Sequence, residues 1–220
     1  MAAAVPIAVF LLAYLLGAIP FGLLVARWFG IHDIRQHGSG NIGATNVWRV
    51  AGPRAAIWVY ALDIGKGVLA VLVARAISQE WLARDTFLVL TALAAVLGHV
   101  LPVYMRFRGG KGVNTGLGVI ATLLPLEALI CLGVFVIVVA LSRYISLGSI
   151  VATITLAATV AVERLLMQKP VAVIYLYLAV AMVLLVLVTH LKNISRILNG
   201  TENRFSLSGQ SAGKGGEARG

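Results

Sequence analysis

The sequence predicts an all-α polytopic membrane protein with about seven transmembrane helices. Hydrophobic residues make up 60% of the 220 residues and charged residues only 12%, against roughly 25% charged residues in an ordinary soluble domain. The mean hydropathy is +0.96. The apolar residues fall into several long runs, and a run of about 20 residues can cross a bilayer. These observations exclude a soluble, a fibrous or a disordered protein.

The apolar runs follow one another with short polar links between them. The first, at 5–29, contains Gly17 and Pro20. Proline removes a backbone donor and clashes with the preceding turn, so this run predicts a kinked helix. Four further runs have about the length of a single span and lie at 55–77, 86–105, 147–162 and 170–189.

The apolar stretch at 113–141 allows two interpretations, because Pro125 lies near its middle. It is either one long tilted span or two short helices that meet at the proline. The basic segments at 27–54 and 106–111, together with Arg143 and the C-terminal end, share one face only if the stretch crosses twice. Lys and Arg concentrate in cytoplasmic loops. This sorting predicts seven helices, with the N-terminus outside and the C-terminus in the cytoplasm.

The chain is predicted to form one membrane-embedded domain at 1–204. A Gly- and Ser-rich end at 205–220 predicts a disordered cytoplasmic tail. The formal net charge of +10 favours anionic substrates or lipids in a membrane protein. No basic stretch is interleaved with aromatic residues, so nucleic acid is not an expected partner. His32 and His37 lack Cys or acidic neighbours at metal-ligand spacing, and we predict no metal site and no cofactor.

Three polar segments are predicted to lie together on the cytoplasmic face, and the first is rich in glycine. Glycines allow backbone N–H groups to approach an anion closely ahead of a helix. Thr45 and Arg49 are four positions apart, so they share a face if a helix begins near Gly43. The candidate residues of this segment are Ser39, Gly40, Asn41, Gly43, Thr45, Asn46 and Arg49.

The second and third segments add cations and polar side chains. In the second, glycines surround a single lysine, and their backbone amides are expected to be exposed around it. In the third, a histidine and an asparagine three positions apart share a face at a helix end. The candidate residues are Gly109, Gly110, Lys111, Gly112 and Thr115 in the second segment and His190, Asn193, Arg196 and Glu202 in the third.

The combined composition suits the binding of phosphate groups. One basic glycine loop alone would more simply connect two helices and touch lipid headgroups. Three such segments on one face, each with Ser, Thr or Asn among the cations, favour a phosphate site instead. Asp63 and Lys66 are charges inside a span and indicate function by default, although their spacing also permits a structural ion pair. His99, inside a span, favours an interhelical hydrogen bond over a ligand role.

The three segments also match the motifs of a known family in order. Residues 39–52 resemble its first motif and residues 190–202 its third. Residues 109–115 resemble its second motif, except that Asn114 stands where Ala is usual. Over about residues 17–204 the chain therefore resembles the bacterial acyl-phosphate:glycerol-3-phosphate acyltransferases.

This resemblance implies a seven-helix membrane enzyme without a cofactor. Such an enzyme transfers a fatty acyl group from a long-chain acyl phosphate to glycerol 3-phosphate, giving lysophosphatidic acid and phosphate. It implies a multi-pass protein of the bacterial cytoplasmic (inner) membrane, surrounded by membrane lipids, with the active site on the cytoplasmic face and working as a monomer. From the residues alone, a transporter of a phosphorylated solute stays open as the alternative. The clustering of polar groups at one face, away from mid-membrane, favours an interfacial enzyme.

The motif residues divide into two predicted groups. Catalytic roles are predicted for Ser39, Arg49, Lys111, His190 and Asn193. Substrate binding is predicted for Gly40, Asn41, Gly43, Thr45, Asn46, Gly109, Gly110, Gly112, Thr115, Arg196 and Glu202. Lys111 and Arg49 would neutralise phosphate charge, and amide donors would stabilise the oxyanion. The proton of the glycerol hydroxyl would pass either to His190 or to a phosphate oxygen of the substrate.

Overall fold

A computed structural model describes residues 4–77 and 83–206. Within these ranges the chain forms helices and turns and contains no strand. The helices are α1 (Ala4–Ala18), α2 (Phe21–Trp28), α3 (Ala44–Ile77), α4 (Arg84–Val100), α5 (Val113–Leu123), α6 (Pro125–Ser142), α7 (Ile145–Ala161), α8 (Val173–Thr189) and α9 (Leu191–Leu198). Short 3₁₀ turns precede α3 and α5, and a π turn extends α7 to Leu166.

Proline and glycine set the breaks in the long apolar runs. The predicted kink in the first run is confirmed, because α1 ends at Ala18 and α2 begins at Phe21, directly after Pro20. A second bend lies inside α3 at Gly52, whose φ of 83° and ψ of 177° interrupt the helical backbone just before Pro53. The bend separates the first two turns of α3, which belong to a polar loop region, from the long apolar part.

The stretch at 113–141 forms two helices that meet at Pro125. Helix α5 has 11 residues and α6 has 18 residues with the proline in its first turn. Proline is favoured at this position because its missing N–H would be unpaired there in any case. The two-helix interpretation is therefore correct.

The all-α membrane class is confirmed. In the described ranges, five helical segments are long and apolar enough to cross a membrane, and the bent pair α8–α9 is a sixth with a 61° bend between its parts. Helix α5 is apolar but shorter than the others. The number of crossings and the side on which each terminus lies stay predictions.

Glycines allow the helices of the bundle to approach one another closely. A Cβ at Gly17 of α1 would overlap the carbonyl oxygen of Ala95, and one at Gly98 of α4 would overlap that of Tyr14. Helices α3 and α5 approach in the same way, since a Cβ at Gly118 would overlap the carbonyl oxygen of Ile64. Small residues at helix contacts are typical of membrane bundles, where association depends on close packing.

The last described residues fold back onto the bundle. The Phe205 N–H donates to the carbonyl oxygen of Arg143 at 2.7 Å, and the Phe205 ring lies 5.4 Å from that of Trp48 between centroids. This return path keeps Glu202 beside the polar segments. The predicted disordered tail at 205–220 lies outside the described residues from 207 onward and stays a prediction, as does the domain boundary at 204.

Candidate active site

The three polar segments meet in one cavity of about 320 Å³, where α3 and α5 begin and α8 ends. All of the predicted site residues line this cavity except Gly109, Gly110 and Thr115. The predicted residues in its wall are Ser39, Gly40, Asn41, Gly43, Thr45, Asn46, Arg49, Lys111, Gly112, His190, Asn193, Arg196 and Glu202. The predicted convergence of the three segments is thus present in the structure.

The side chain of Asn46 organises the first loop. Its Oδ1 accepts a hydrogen bond from the Ser39 N–H at 2.7 Å. Its Nδ2 donates to the carbonyl oxygens of His37 at 3.0 Å and of Asn41 at 2.9 Å. Asn46 is 2% exposed, so it acts as an internal support for the loop and presents little surface to a ligand.

The expectation that the glycine amides of this loop face a ligand is wrong for two glycines. The Gly40 N–H donates to the His37 carbonyl oxygen at 3.1 Å, and the Gly43 N–H donates to Asn41 Oδ1 at 2.7 Å. In the part of the chain that the structure describes, the backbone amides of Ala44 and Thr45 have no hydrogen-bond partner. Both residues line the cavity, at the positive end of the helix dipole of α3.

Helix α3 begins at Ala44, as the position of Gly43 predicts, and this start places Thr45 and Arg49 on the cavity side. Arg49 is half-buried. Within the described residues its guanidinium makes no hydrogen bond or ion pair with another side chain. An arginine in this setting has its donors available for a phosphate or carboxylate ligand.

The second loop is built by close packing against α4, which corrects the expectation of exposed glycine amides. The Gly109 N–H donates to the Val100 carbonyl oxygen and the Gly110 N–H to that of His99, each at 3.1 Å. A Cβ at Gly110 would overlap the His99 ring. These two glycines therefore shape the loop, and their amides are already used by the protein.

Thr115 also lies behind the cavity wall. It is fully buried, and its hydroxyl lies 3.1 Å from His99 Nδ1. His99 consequently contacts both ends of the loop that carries Lys111. The predicted substrate-binding role of Thr115 is not supported by this position, because its hydroxyl is directed to another side chain.

Asp63 and Lys66 support the same region from α3. Lys66 Nζ lies 2.8 Å from Asp63 Oδ1, and both side chains are 2% exposed. The contact is an ion pair by distance, although Asp63 Oδ1 makes no contact with hydrogen-bond geometry. Asp63 Oδ1 also lies 3.5 Å from His99 Nδ1. The sequence permitted an ion pair between Asp63 and Lys66 and an interhelical hydrogen bond of His99. In the structure the three side chains form one buried network.

Lys111 projects from the second loop toward the third segment. Its Nζ donates to Asn193 Oδ1 at 2.6 Å. Burial lowers the pKa of Lys111 to about 8, with the nearby Arg196 and Arg49 charges acting in the same direction and Glu202 opposing them. Burial therefore disfavours the protonated form of Lys111. An anionic ligand in the cavity would stabilise that positive charge.

Glu202 ties the third segment together. Its Oε1 accepts hydrogen bonds from Asn193 Nδ2 at 2.6 Å and from Ser146 Oγ at 2.8 Å, and its Oε2 accepts one from Arg196 Nε at 2.8 Å. Burial alone raises the pKa of Glu202, but these hydrogen bonds outweigh it and hold the pKa below its usual range. Glu202 is thus a charged structural acceptor that positions Asn193 for its bond to Lys111.

Ser146 is a site residue that sequence reasoning missed. It lies in the first turn of the apolar helix α7 and is 4% exposed, and no motif includes it. The available pattern was the pair Ser146 and Ser149, three positions apart and therefore on one face of an otherwise apolar helix. Such a pair indicates a polar contact inside a membrane bundle.

His190 lies at the bend between α8 and α9 and is 2% exposed. Its Nδ1 is 2.8 Å from the Val186 carbonyl oxygen. Because a carbonyl oxygen accepts, this contact assigns the ring proton to Nδ1 and leaves Nε2 as the acceptor of the neutral ring. Among the residues described, no three His, Cys, Asp or Glu side chains are grouped in a way that could hold a metal ion.

An apolar groove of about 280 Å³ adjoins the polar cavity. Helices α3, α5, α6, α7 and α8 all contribute to its wall. Its lining includes the buried apolar residues Ile120, Ala128 and Leu156. Five residues line both the cavity and the groove, namely Tyr60, Val113, Asn114, Phe135 and Ser149. The two spaces are therefore neighbours with a shared wall, one mainly polar and the other mainly apolar.

Comparison with known proteins agrees with this arrangement. Residues 7–200 match the family model described as glycerol-3-phosphate acyltransferase. A relative of that name from Myxococcus xanthus is 46% identical over 198 residues, covering 90% of this chain and 98% of the relative. Another from Synechococcus sp. (strain CC9902) is 43% identical over 201 residues, covering 91% and 95%.

Two solved structures share the fold. The crystal structure of PlsY (YgiH), an integral membrane glycerol 3-phosphate acyltransferase, in its glycerol 3-phosphate form has a TM-score of 0.81 and 38% identity, covering 92% of this chain and 96% of that one. Its lysophosphatidic acid form has a TM-score of 0.80 and 36% identity, covering 93% and 97%. With the motifs gathered in one cavity and the match extending over most of its length, this chain belongs to the glycerol-3-phosphate acyltransferase family.

Proposed function

We propose that the protein transfers a fatty acyl group from a long-chain acyl phosphate to glycerol 3-phosphate, producing 1-acylglycerol 3-phosphate and inorganic phosphate. The observation that carries this proposal is the position of a cationic cavity directly beside an apolar groove, with five residues in their shared wall. An acyl phosphate has the same division, with a charged head joined to an apolar chain. The solved relatives in glycerol 3-phosphate and lysophosphatidic acid forms support the acceptor and the product.

The cavity offers several groups that can neutralise the charge of two phosphates. Lys111 is buried beside Asn193, and Arg49 presents a guanidinium with unused donors. The amides of Ala44 and Thr45 add uncharged donors at the start of α3. Together these groups hold two anions near each other, which is the main task when the leaving group is already a good one.

The reaction needs little acid catalysis, because an acyl phosphate is a mixed anhydride. The glycerol hydroxyl oxygen attacks the carbonyl carbon, and the bond from that carbon to the bridging phosphate oxygen breaks. The departing phosphate takes the hydroxyl proton, so no side chain is required as a base. His190 Nε2 is the alternative proton acceptor, since Nδ1 is hydrogen-bonded to the carbonyl oxygen of Val186. Glu202 is unsuited to this role because its oxygens are occupied by three donors.

The setting of the reaction follows from where the two spaces lie. The groove runs between membrane helices, so we place the acyl chain in contact with the bilayer and the phosphates at the cytoplasmic surface of a bacterial inner membrane. Residues of one chain line the cavity and the groove, which supports action as a monomer. Transport of a phosphorylated solute is the less favoured function, because the polar groups cluster at one end of the bundle.

The test is turnover by purified protein in lipid nanodiscs with glycerol 3-phosphate and either palmitoyl phosphate or palmitoyl-CoA as the donor. We expect lysophosphatidic acid and inorganic phosphate in equal amounts from palmitoyl phosphate and little product from palmitoyl-CoA. In the described residues, the segments between the apolar helices are short and offer little surface for the nucleotide of CoA. Equal rates with the two donors would contradict the proposed donor.

A further inference from the structure

The wall shared by the polar cavity and the apolar groove contains three polar side chains, and they differ in their hydrogen bonds. The Tyr60 hydroxyl interacts with the Thr45 side chain, and Ser149 Oγ donates to the Ile145 carbonyl oxygen at 2.9 Å. Asn114 has no hydrogen-bond partner for its side chain within the ranges that the structure describes. One of the three therefore keeps its donors for a ligand.

The position of Asn114 indicates what kind of ligand group its unpaired side-chain amide would bind. Asn114 is half-buried at the second position of α5, where the polar cavity gives way to the groove. A polar group at such a boundary loses water when an acyl chain enters, and it costs free energy unless it gains a new partner. The ligand in this place should consequently carry a hydrogen-bond acceptor.

We propose that the side-chain amide of Asn114 donates a hydrogen bond to the carbonyl oxygen of the acyl donor. This inference rests on the proposed function, in which the phosphate lies in the cavity and the acyl chain in the groove. The carbonyl carbon joins these two parts of the donor. Its oxygen therefore lies at the shared wall, where Asn114 is the side chain with free donors.

The hydrogen bond would act on the chemical step. When the glycerol oxygen bonds to the carbonyl carbon, the π electrons move onto the carbonyl oxygen and give it a negative charge. Collapse of this intermediate restores the carbonyl, breaks the bond to phosphate and releases phosphate with the hydroxyl proton. A fixed N–H donor aimed at that oxygen stabilises the charged intermediate more than the neutral substrate, and so it raises kcat.

Asn114 stands where the motif usually has Ala. Its amide would therefore add one hydrogen-bond donor to those of the motif residues. The natural occurrence of Ala also makes Asn114→Ala a substitution that the fold accommodates. We expect Asn114→Ala and Asn114→Leu to lower kcat with palmitoyl phosphate about tenfold, the loss of one hydrogen bond. KM for glycerol 3-phosphate should not change. Thr122→Val is the matched control, since Thr122 lies on the same helix outside both spaces.

A pair of inhibitors separates a carbonyl contact from a change in packing. A 2-oxoalkyl phosphonate keeps the carbonyl of the donor but replaces the bridging oxygen by CH₂, and the matching alkyl phosphonate lacks the carbonyl. In Asn114→Leu we expect weaker inhibition by the oxo compound, about fivefold or more, and unchanged inhibition by the alkyl compound. Equal losses for both compounds, or no loss for either, would overturn the proposal.

The proposed function and the role of Asn114 can be overturned separately. Wild-type protein without turnover of palmitoyl phosphate would overturn the proposed function, and this inference with it. An active wild type together with unchanged kcat in Asn114→Ala would overturn only the role of Asn114. A raised KM for glycerol 3-phosphate with unchanged kcat would place Asn114 at the acceptor and would also overturn the proposal.

Discussion

The two glycine loops that border the cavity look alike in sequence but are held by different means. In the first, a buried side chain, Asn46, binds the loop through its amide. In the second, the loop lies directly against α4, and Gly109 and Gly110 give their N–H groups to backbone oxygens of that helix. Glycine thus permits a turn of the backbone in the first loop and close packing of the backbone against α4 in the second.

This difference decides which groups of each loop face a ligand. In the first loop the free amides belong to Ala44 and Thr45, just after the glycines. In the second, the group that faces the cavity is the side chain of Lys111, whose loop is packed against α4 through Gly109 and Gly110. A glycine-rich motif with a basic residue therefore indicates a phosphate site without showing which atoms bind the phosphate.

The largest expected effect comes from removing the cation that either loop contributes. Lys111→Ala and Arg49→Ala should each lower kcat/KM for glycerol 3-phosphate at least about 100-fold, which equals about 2.7 kcal/mol of transition-state stabilisation. Arg49→Lys should recover only a minor part, because lysine cannot form two parallel hydrogen bonds to a phosphate. Steady-state kinetics on membrane-inserted protein measures this. Near wild-type kcat/KM in folded Lys111→Ala would place the phosphate site elsewhere.

The packing of the second loop can be tested with a double-mutant cycle. Gly110→Ala should lower kcat/KM about 100-fold, because the new Cβ would overlap the His99 ring and displace Lys111. In a His99→Ala background the same change should cost less than about threefold, since the overlapping atoms are gone.

Gly109→Ala is the matched control for this cycle. A Cβ there would overlap the backbone oxygens of His99 and Val100, which His99→Ala does not remove. Its cost should therefore be the same in both backgrounds. If Gly110→Ala costs as much without the His99 ring as with it, close packing on His99 does not explain the need for this glycine.

A moderate effect is expected from pH. Since burial lowers the pKa of Lys111 to about 8, its ammonium loses its proton as the pH rises through about 8. The pH profile of kcat/KM reports groups of the free enzyme, so kcat/KM for glycerol 3-phosphate should fall about fivefold between pH 8 and 9. Lys111→Arg, even with lower activity, should not show this fall. An identical alkaline limb in Lys111→Arg would assign the titration to another group.

The smallest effect is expected at the far end of the bundle. Lys169 Nζ lies 2.6 Å from Glu163 Oε1, beyond the end of α7 that is remote from the cavity. Helix α7 has 17 residues, which corresponds to roughly 25 Å. Lys169→Ala should therefore change kcat/KM less than about twofold in the same assay. A loss near that of Lys111→Ala would mean that the fixed cations act through the charge of the whole protein and not through a local site.

The sequence was sufficient for the long apolar helices, the breaks at Pro20 and Pro125 and the convergence of the motifs, whereas the bend at Gly52 was not predicted. The long apolar runs predict helices because such runs are stable in a bilayer. Pro20 and Pro125 predict breaks because proline interrupts the backbone hydrogen bonding of a helix. The sorting of basic residues correctly favoured two helices at 113–141. These features need no knowledge of which helices are neighbours.

Only the structure identifies the hydrogen-bond partner of each polar group. Sequence patterns placed Gly109, Gly110 and Thr115 at the ligand, whereas the structure directs them toward α4 and His99. Likewise, no pattern connects Ser146 with Glu202, which are 56 positions apart. Such contacts arise from the tertiary arrangement of α4, α7 and the C-terminal return, and spacing along the chain does not encode them.

We infer that the two loops build one phosphate site together. Isothermal titration of glycerol 3-phosphate into wild-type protein, Arg49→Ala and Lys111→Ala at pH 7 tests it directly, with Lys169→Ala as the control. We expect at least tenfold weaker binding in both cavity variants and unchanged binding in the control. Wild-type affinity in both Arg49→Ala and Lys111→Ala would contradict it, because neither loop would then contribute its cation to the bound phosphate.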